Sequence, residues 1–273
     1  PLMAQLAADT ADVTLSWSFW ATACIVPVIL SMIIIPMFLY HFYPPEIRET
    51  PQAQAMAREK LQEMGPMSRD EKIISCIFIG ALLLWSTSQY THINATIAAL
   101  LGVTVMLMTN VLNWNDVLTE KGAWDGMMWM GGIVGLASAL NKIGFIPWFA
   151  ESVTAMLSGV SWTVTLSILF LVYLYSHYAF ASLSGHVTGM YAAFLAVAVA
   201  AGAPVYLAAI GLAVLSNIMA GLTHYSTGAA PIFFGAGFVS QKDWWRIGFL
   251  CSVINFVIWI GIGSIWWKLL GIW

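Results

Sequence analysis

The chain has 273 residues, of which 60% are hydrophobic and only 8% are charged, and it contains 14 tryptophans. Soluble domains carry about 25% charged residues, so this composition excludes an ordinary soluble protein and indicates a polytopic membrane protein. The net charge of -3 rests on few charged groups, so the sequence offers no basic surface for nucleic acid.

The N-terminal part divides into a polar start, an apolar run and a charged stretch. Residues 1–15 are mildly polar, and the chain begins without an initiator methionine, so we expect a loop that links to a preceding part of a longer protein. Residues 16–40 are long enough to span a bilayer, and Pro27 and Pro36 predict a kinked or interrupted helix there. Residues 41–72 hold five of the ten basic residues, which predicts a cytoplasmic linker.

Residues 73–161 predict scaffold helices followed by an arm. The apolar runs 73–88 and 95–112 predict two helices joined by a short outer turn. The run 127–140 predicts a third helix, whose glycines offer a small-residue face for close packing. The stretch 141–161 is amphipathic, so we expect an arm that lies in the outer membrane interface.

The segment 162–204 contains two apolar halves around the polar tip FASLSGHVTGMY. Two complete spans need a polar or charged inner loop, yet residues 182–189 contain no Lys, Arg, Asp or Glu. The pattern therefore predicts a re-entrant hairpin that enters from outside and places its tip at the bilayer midplane.

The segment 205–243 contains a second polar interruption, SNIMAGLTHYSTGAAPIFFGAG, between apolar flanks. In hydrocarbon every backbone N–H and C=O needs a partner, so such a stretch survives only where it packs in protein or lines a wet cavity. It predicts a broken transmembrane helix. A terminal transmembrane helix is predicted after it, at residues 244–273. Two uncharged interruptions at bilayer depth are typical of an anion site built from hydroxyls, amides and backbone N–H groups.

Two stretches carry a family resemblance. SHYAFASLSGHVTGMYAAF at 176–194, and SNIMAGLTHYSTGAAPIFFGAGFV at 216–239 with the Trp pair at 244–245, resemble the C-terminal half of the divalent anion:sodium symporter family. They are most similar to its exchanger branch, which comprises bacterial citrate/succinate and tartrate/succinate antiporters and plastid 2-oxoglutarate/malate translocators. The resemblance implies an all-α polytopic membrane protein, one half of an inverted-repeat secondary transporter with a re-entrant hairpin and a broken helix.

The resemblance also implies the mode of transport. Sodium-coupled members carry Ser-Asn-Thr at the hairpin tip, where the matching positions here are Ser182, Leu183 and Ser184. Leu183 replaces the Asn that helps to hold substrate and sodium, which favours elevator-type antiport of di- or tricarboxylates such as citrate, tartrate, succinate, 2-oxoglutarate or malate. A sodium-coupled dicarboxylate symporter is the alternative. A homodimer in the cell inner membrane is implied as well.

The substrate-binding residues that we predict lie at the two interruptions. They are Ser182, Ser184, His186 and Thr188 at the tip, and Thr223, His224, Tyr225, Ser226, Thr227 and Gly228 in the break. Each has a structural alternative. A buried His can bond a backbone carbonyl that the break leaves without a helical donor, and Ser or Thr in a membrane helix often bonds the i-4 carbonyl and no ligand. His186 follows Ser182 by four residues, so it shares the face of Ser182 if the tip is helical.

Other chemistry is not indicated. Cys24, Cys76 and Cys251 lie scattered in apolar runs without metal-binding spacing, so neither a metal nor another cofactor is expected. An intramembrane enzyme that uses His224 or His186 is the alternative from another class of protein, but the apolar segments hold no Ser-His-carboxylate set and no HExxH motif. The expected partners are small-molecule carboxylates and the lipid bilayer. The Trp pairs at 244–245 and 266–267 fit interfacial aromatic belts and are assigned no chemistry.

Overall fold

The computed structural model describes residues 2–45, 51–91, 93–121, 123–124, 127–128, 135–136, 139, 142–156, 159–180 and 182–273. These residues form helices and connections without a strand, so the all-α prediction is confirmed. By length and composition, four helical runs of the described chain can cross a membrane: Trp17–Phe42, Trp162–Ala179, Leu183–Ala200 and Gln241–Leu269. Two shorter apolar helices are Ala95–Met108 and Val205–Gly221.

The described helices, in chain order, are α1 (Leu2–Ala11), α2 (Trp17–Phe42), α3 (Ala53–Met64), α4 (Arg69–Ser86), α5 (Ser88–Thr91), α6 (Ala95–Met108), α7 (Trp114–Thr119), α8 (Phe145–Met156), α9 (Trp162–Ser176), α10 (Leu183–Ala200), α11 (Val205–Ile218), α12 (Ala230–Gly235), α13 (Gln241–Phe256) and α14 (Gly263–Leu269). Turns of 3-10 helix follow α9 and α11, and a π-helical turn, Val257–Ile262, joins α13 to α14. The chain divides into two units, one formed by Pro1–Leu15, Phe19–Met37 and Gly126–Trp273, and one by Ser16–Ser18 and Phe38–Asp125.

The second unit contains the charged linker and the helix pair α4 and α6. Helix α3 has no buried residue, as a solvated linker requires. Helix α4 begins at a capping box, in which the Ser68 backbone N–H donates to the Glu71 carboxylate at 2.6 Å and lowers the pKa of that carboxyl. Residues 46–50 of the predicted linker lie outside the described residues.

The loop prediction for residues 1–15 is wrong, because Leu2–Ala11 forms α1. Leu6 and Ala7 are buried, as are Val13 and Leu15 in the extended segment that follows. Helix α1 packs on α10 and α11. The short apolar face of α1 is not apparent from the mildly polar composition of the segment. Such a short helix is stable only when this face packs on neighbouring helices.

Helix α2 runs through both of its prolines, so of the expected kink or interruption the interruption does not occur, and the kink stays a prediction. Pro27 has no N–H, which leaves the carbonyl of Ala23 without its helical donor. Trp267 donates its Nε1–H to that carbonyl at 2.9 Å. Trp267 is fully buried, so its assignment to an interfacial belt is wrong as well. A distant indole thus replaces the missing backbone bond.

Helices α9, α10 and α11 form the core of the first unit. Gly211 of α11 lies against the ring of Phe170 on α9, where a Cβ on the glycine would overlap the ring. The Tyr191 hydroxyl of α10 donates to the Ala209 carbonyl of α11 at 2.9 Å. These contacts hold the two arms of the hairpin against the helix that leads into the break.

Some predictions fall partly outside the described residues. The predicted helix 127–140 lies largely there, including Gly131 and Gly132 of its small-residue face. Helix α8 lies within the predicted arm 141–161 and packs on α10. The position of the arm in the interface and the depth of the hairpin in the bilayer stay predictions.

Candidate functional site

The hairpin tip is the turn between α9 and α10. A 3-10 turn, His177–Ala179, ends α9, and Ser182 caps the N-terminus of α10 by accepting a hydrogen bond from the Gly185 N–H at 3.3 Å. Ser182 and Ser184 are exposed. The first N–H groups of an α-helix lack helical partners and carry its positive dipole end. The tip therefore offers two hydroxyls beside the N-terminus of an 18-residue helix, an arrangement that suits an anion.

His186 and Thr188 face the protein core and not the exposed side of the tip. Thr188 is 8% exposed, and its hydroxyl donates to the Ser184 carbonyl at 2.8 Å, the i-4 bond named above as the structural alternative. His186 is fully buried, with its Nε2 2.9 Å from the Ser176 hydroxyl oxygen. The geometry of these two residues therefore does not favour direct contact with a substrate.

The break is held open by its own side chains. Helix α11 ends at Ile218, and the next α-helix begins only at Ala230. The buried hydroxyl of Ser226 accepts from the Thr223 N–H at 3.1 Å and lies 2.8 Å from the Ala220 carbonyl oxygen. Thr227 accepts from the N–H of Ala230, the first residue of α12, at 3.0 Å. Serine and threonine thus replace the helical hydrogen bonds of this stretch.

One tyrosine ties the break to the hairpin. The Tyr225 hydroxyl donates to the Tyr178 carbonyl at 2.9 Å, just before the tip. The ring of Trp245 on α13 lies beside both tyrosines, with centroid distances of 5.5 Å to Tyr178 and 6.3 Å to Tyr225. The three elements are therefore joined at this point, which places the break and the hairpin turn in contact.

His224 is the half-buried imidazole of the break. Trp245 donates its Nε1–H to His224 Nδ1 at 3.1 Å. An indole nitrogen is only a donor, so Nδ1 accepts and the neutral ring carries its proton on Nε2. The ring also packs on Phe234 at 4.5 Å. His224 is thus fixed as a neutral N–H donor, which a carboxylate oxygen can accept.

Two positions on α13 that contact the break are not predicted from the sequence. Trp245 fixes His224, although it was assigned no chemistry. Gly248 lies where a Cβ would overlap the Gly221 carbonyl oxygen and approach that of Leu222 to 2.9 Å. No local pattern pairs these positions with the break, since the contacts arise when α13 folds back on it.

The whole chain matches a known family model. Residues 1–273 match the model described as the sodium:sulfate symporter transmembrane region. The chain is 50% identical over its full length to a putative malate transporter, YflS, of Bacillus subtilis, and covers 57% of it. It is 44% identical over its full length to the chloroplastic dicarboxylate transporter 1 of Spinacia oleracea, and covers 48% of that protein. The chain therefore spans about half the length of the curated relatives it matches.

Proposed function

Because this chain belongs to the sodium:sulfate symporter family, which is the divalent anion:sodium symporter family of the resemblance, we propose that it forms one half of the site of a carboxylate exchanger. The full protein would exchange di- or tricarboxylates across a membrane. Its relatives are named as malate and dicarboxylate transporters. The family consists of transporters and not enzymes, so the intramembrane enzyme is excluded.

The observation that carries the proposal is a set of neutral donors at two adjacent interruptions. The hydroxyls of Ser182 and Ser184 lie at the N-terminus of α10, and His224 presents Nε2–H in the break. Residues 162–241 contain no Lys, Arg, Asp or Glu. A carrier must release what it binds, and donors without a full charge attract a carboxylate without trapping it.

Leu183 supports exchange over sodium symport. A sodium ion needs oxygen ligands, and Leu183 supplies none where the family's Asn stands. Its side chain instead packs against the hydrophobic core. Without a bound sodium ion, the carrier returns to its first orientation by binding a second carboxylate on the opposite side of the membrane. A sodium-coupled symporter remains the second candidate, because the hydroxyls of Ser182 and Ser184 are oxygen ligands.

The hairpin and the break would move as one body during transport. The Tyr225 bond to Tyr178 and the Trp245 contacts connect them, as an elevator-type movement against a scaffold requires. The remaining part of the longer protein would supply the second hairpin and the other wall of the site. We propose a homodimer, and for a bacterial carrier a location in the cell inner membrane.

Exchange is tested with the full-length protein in vesicles that are loaded with unlabelled succinate or with buffer alone. We expect uptake of labelled succinate only into the loaded vesicles, with and without external sodium. Uptake into buffer-loaded vesicles that follows the sodium gradient would instead establish the symporter. Absence of carboxylate uptake under every condition would overturn the proposed function.

Ser184→Ala should raise the KM for succinate roughly tenfold, the usual cost of removing one hydrogen bond to a charged group. Ser184 is preferred to Ser182 because Ser182 also caps α10, and its loss would destabilise the helix. The matched control is Ser167→Ala on α9, whose exposed hydroxyl bonds the Thr163 carbonyl. Equal KM values for Ser184→Ala and the control would remove Ser184 from the site.

Trp245→Phe should raise the KM for succinate several-fold without lowering the amount of folded protein. The ring contacts survive this change, but His224 loses the donor that fixes its tautomer, so its Nε2 is no longer held as an N–H donor. Trp244→Phe is the matched control, since Trp244 contacts the Phe234 ring and not His224. An equal effect of both changes would show that Trp245 acts by packing alone. Initial exchange rates over a range of succinate concentrations provide both KM values.

A further inference from the structure

Two histidines lie side by side behind the hairpin tip, and the function proposed above uses neither. His177, in the 3-10 turn, and His186, on α10, are both 0% exposed. Their ring centroids are 5.3 Å apart and the rings are nearly perpendicular, at 85°. An ionisable group in a membrane segment is expensive, so a buried pair calls for a functional explanation.

The hydrogen bonds determine the tautomer of His186. The Ser176 hydroxyl donates to the Tyr173 carbonyl at 2.9 Å, and its oxygen lies 2.9 Å from His186 Nε2. A hydroxyl has one hydrogen, so as long as Ser176 gives it to the Tyr173 carbonyl, His186 Nε2 is the donor to the Ser176 oxygen. His186 Nδ1 then keeps its lone pair, and this buried atom has no hydrogen-bond partner.

Both ring nitrogens of His177 are buried without a partner, and in the neutral ring one of them carries the hydrogen and the other a lone pair. The hydroxyls of Ser216 and Tyr173 are committed elsewhere. Ser216 donates to the Leu212 carbonyl at 2.9 Å, so Tyr173 donates its own hydrogen to the Ser216 oxygen at 2.8 Å. The uncommitted basic atoms of this part of the core are therefore imidazole nitrogens.

We propose that His177 and His186 together bind one proton when the carboxylate binds, so that the carrier moves a proton with its substrate. This inference rests on the proposed exchange function. The proton comes from the water on the side where the substrate enters and adds to His186 Nδ1. The His177 ring lies beside the new imidazolium, with a centroid distance of 5.3 Å. The proton leaves to the water on the opposite side when the substrate is released.

The substrate supplies the counter-charge. The backbone N–H of His186 donates to the backbone carbonyl of Ser182 at 3.0 Å, so His186 lies one helical turn from the tip. An anion at Ser182 and Ser184 is therefore close to the pair across low-dielectric protein, where a buried imidazolium requires a nearby negative charge. Proton and anion stabilise each other at the site, and each is bound more weakly alone.

Other titratable groups on the packed elements are phenols, one imidazole, one thiol, and charged side chains at exposed or half-exposed positions. Tyr173 contacts the His186 ring at 4.5 Å, and its hydrogen is committed to Ser216. Among the described residues these groups are Tyr173 and Tyr175 on α9, Tyr178 in the 3-10 turn, Tyr191 on α10, Tyr206 on α11, His224 and Tyr225 in the break, Asp9 on α1, Glu151 on α8, and Lys242, Asp243, Arg246 and Cys251 on α13.

The direct test measures proton uptake on substrate binding. Succinate is added to the purified full-length protein in weakly buffered detergent solution at about pH 7.5, where its carboxyls are ionised. A pH indicator follows the protons while calorimetry follows the binding. We expect about one proton taken up per succinate bound. Binding without proton uptake overturns the inference and leaves the proposed function intact, whereas absence of binding defeats the proposed function itself.

Variants then locate the proton. In the unaltered protein the KM for succinate should rise several-fold between about pH 7 and about pH 8.5, because proton binding favours substrate binding. His186→Gln keeps an amide donor for Ser176. His186→Gln and His177→Gln, each made as a single variant, should flatten the dependence of KM on pH. His41→Gln is the control, and its profile should match that of the unaltered protein. An unchanged slope in both pair variants overturns the assignment, and if neither variant folds, proton uptake by the unaltered protein still decides.

Discussion

Gly248→Ala should sharply lower both the yield of folded carrier and its exchange activity, although it adds a single methyl group. The added Cβ would overlap the Gly221 carbonyl oxygen and approach that of Leu222 to 2.9 Å. Both oxygens belong to the backbone at the start of the break and cannot rotate away as a side chain does. Either α13 or the break must shift, and Trp245 would then lose its contact with His224. Overpacking costs about 1–3 kcal/mol and occasionally more, and here it acts directly on the proposed site.

Two further glycines provide the controls. Gly261→Ala on the same helical run meets only Val257 Cγ1, at 3.9 Å, and should be silent. A Cβ at position 211 would overlap the ring of Phe170, which is a side chain that can be shortened. We therefore expect Gly211→Ala alone to impair folding and the double variant with Phe170→Leu to restore it. Recovery from size-exclusion chromatography and succinate exchange are compared for all variants. If Gly248→Ala behaves like Gly261→Ala, α13 does not pack on the break as described.

Local composition was enough to predict the helical class and to locate the tip and the break. Uncharged polar residues between apolar runs mark both places, and the structure interrupts its helices there. The same reasoning failed for α1, whose short apolar face has meaning only against α10 and α11. Local pattern predicts where a helix can break, whereas tertiary contacts decide whether a weak helix forms.

The position of His186 shows a second limit. A spacing of four residues puts two side chains on one face only when both belong to the same helix. Ser182 is instead the N-cap, with an extended backbone at φ -153° and ψ 131°. Ser182 is therefore exposed at the tip while His186 is buried. The exact start of a helix decides such assignments, and sequence patterns define it poorly.

Partners that are far apart in sequence were invisible to any local pattern. His224 and Trp245 are separated by 21 residues, and Ala23 and Trp267 by 244. In both cases an indole N–H partners an acceptor in the first unit, and the choice depends on how helices pack. Tryptophan in a membrane protein is usually assigned to the interfacial belt. Two of the 14 tryptophans here instead hold the break and a proline-containing helix in place.

Trp267→Phe should destabilise the protein strongly, because it removes the donor that replaces the missing N–H of Pro27. The Ala23 carbonyl would then be buried without a partner, which costs about 1–3 kcal/mol, and the smaller ring would leave a void beside it. Trp266→Phe is the matched control. Trp266 donates to the Thr22 carbonyl, which also has the N–H of Val26 as its helical donor, so its loss should cost less.

Pro27→Ala separates the hydrogen bond from the packing. Alanine at this position restores an N–H to the Ala23 carbonyl, so Trp267→Phe should cost less in the Pro27→Ala background than in the unaltered protein. Folded protein that remains after heating, measured by size-exclusion chromatography, gives the four stabilities of the cycle. Additive effects would mean that Trp267 stabilises α2 by its bulk. A coupling of the expected sign would mean that the indole completes the helix, which explains how α2 spans both prolines without a break.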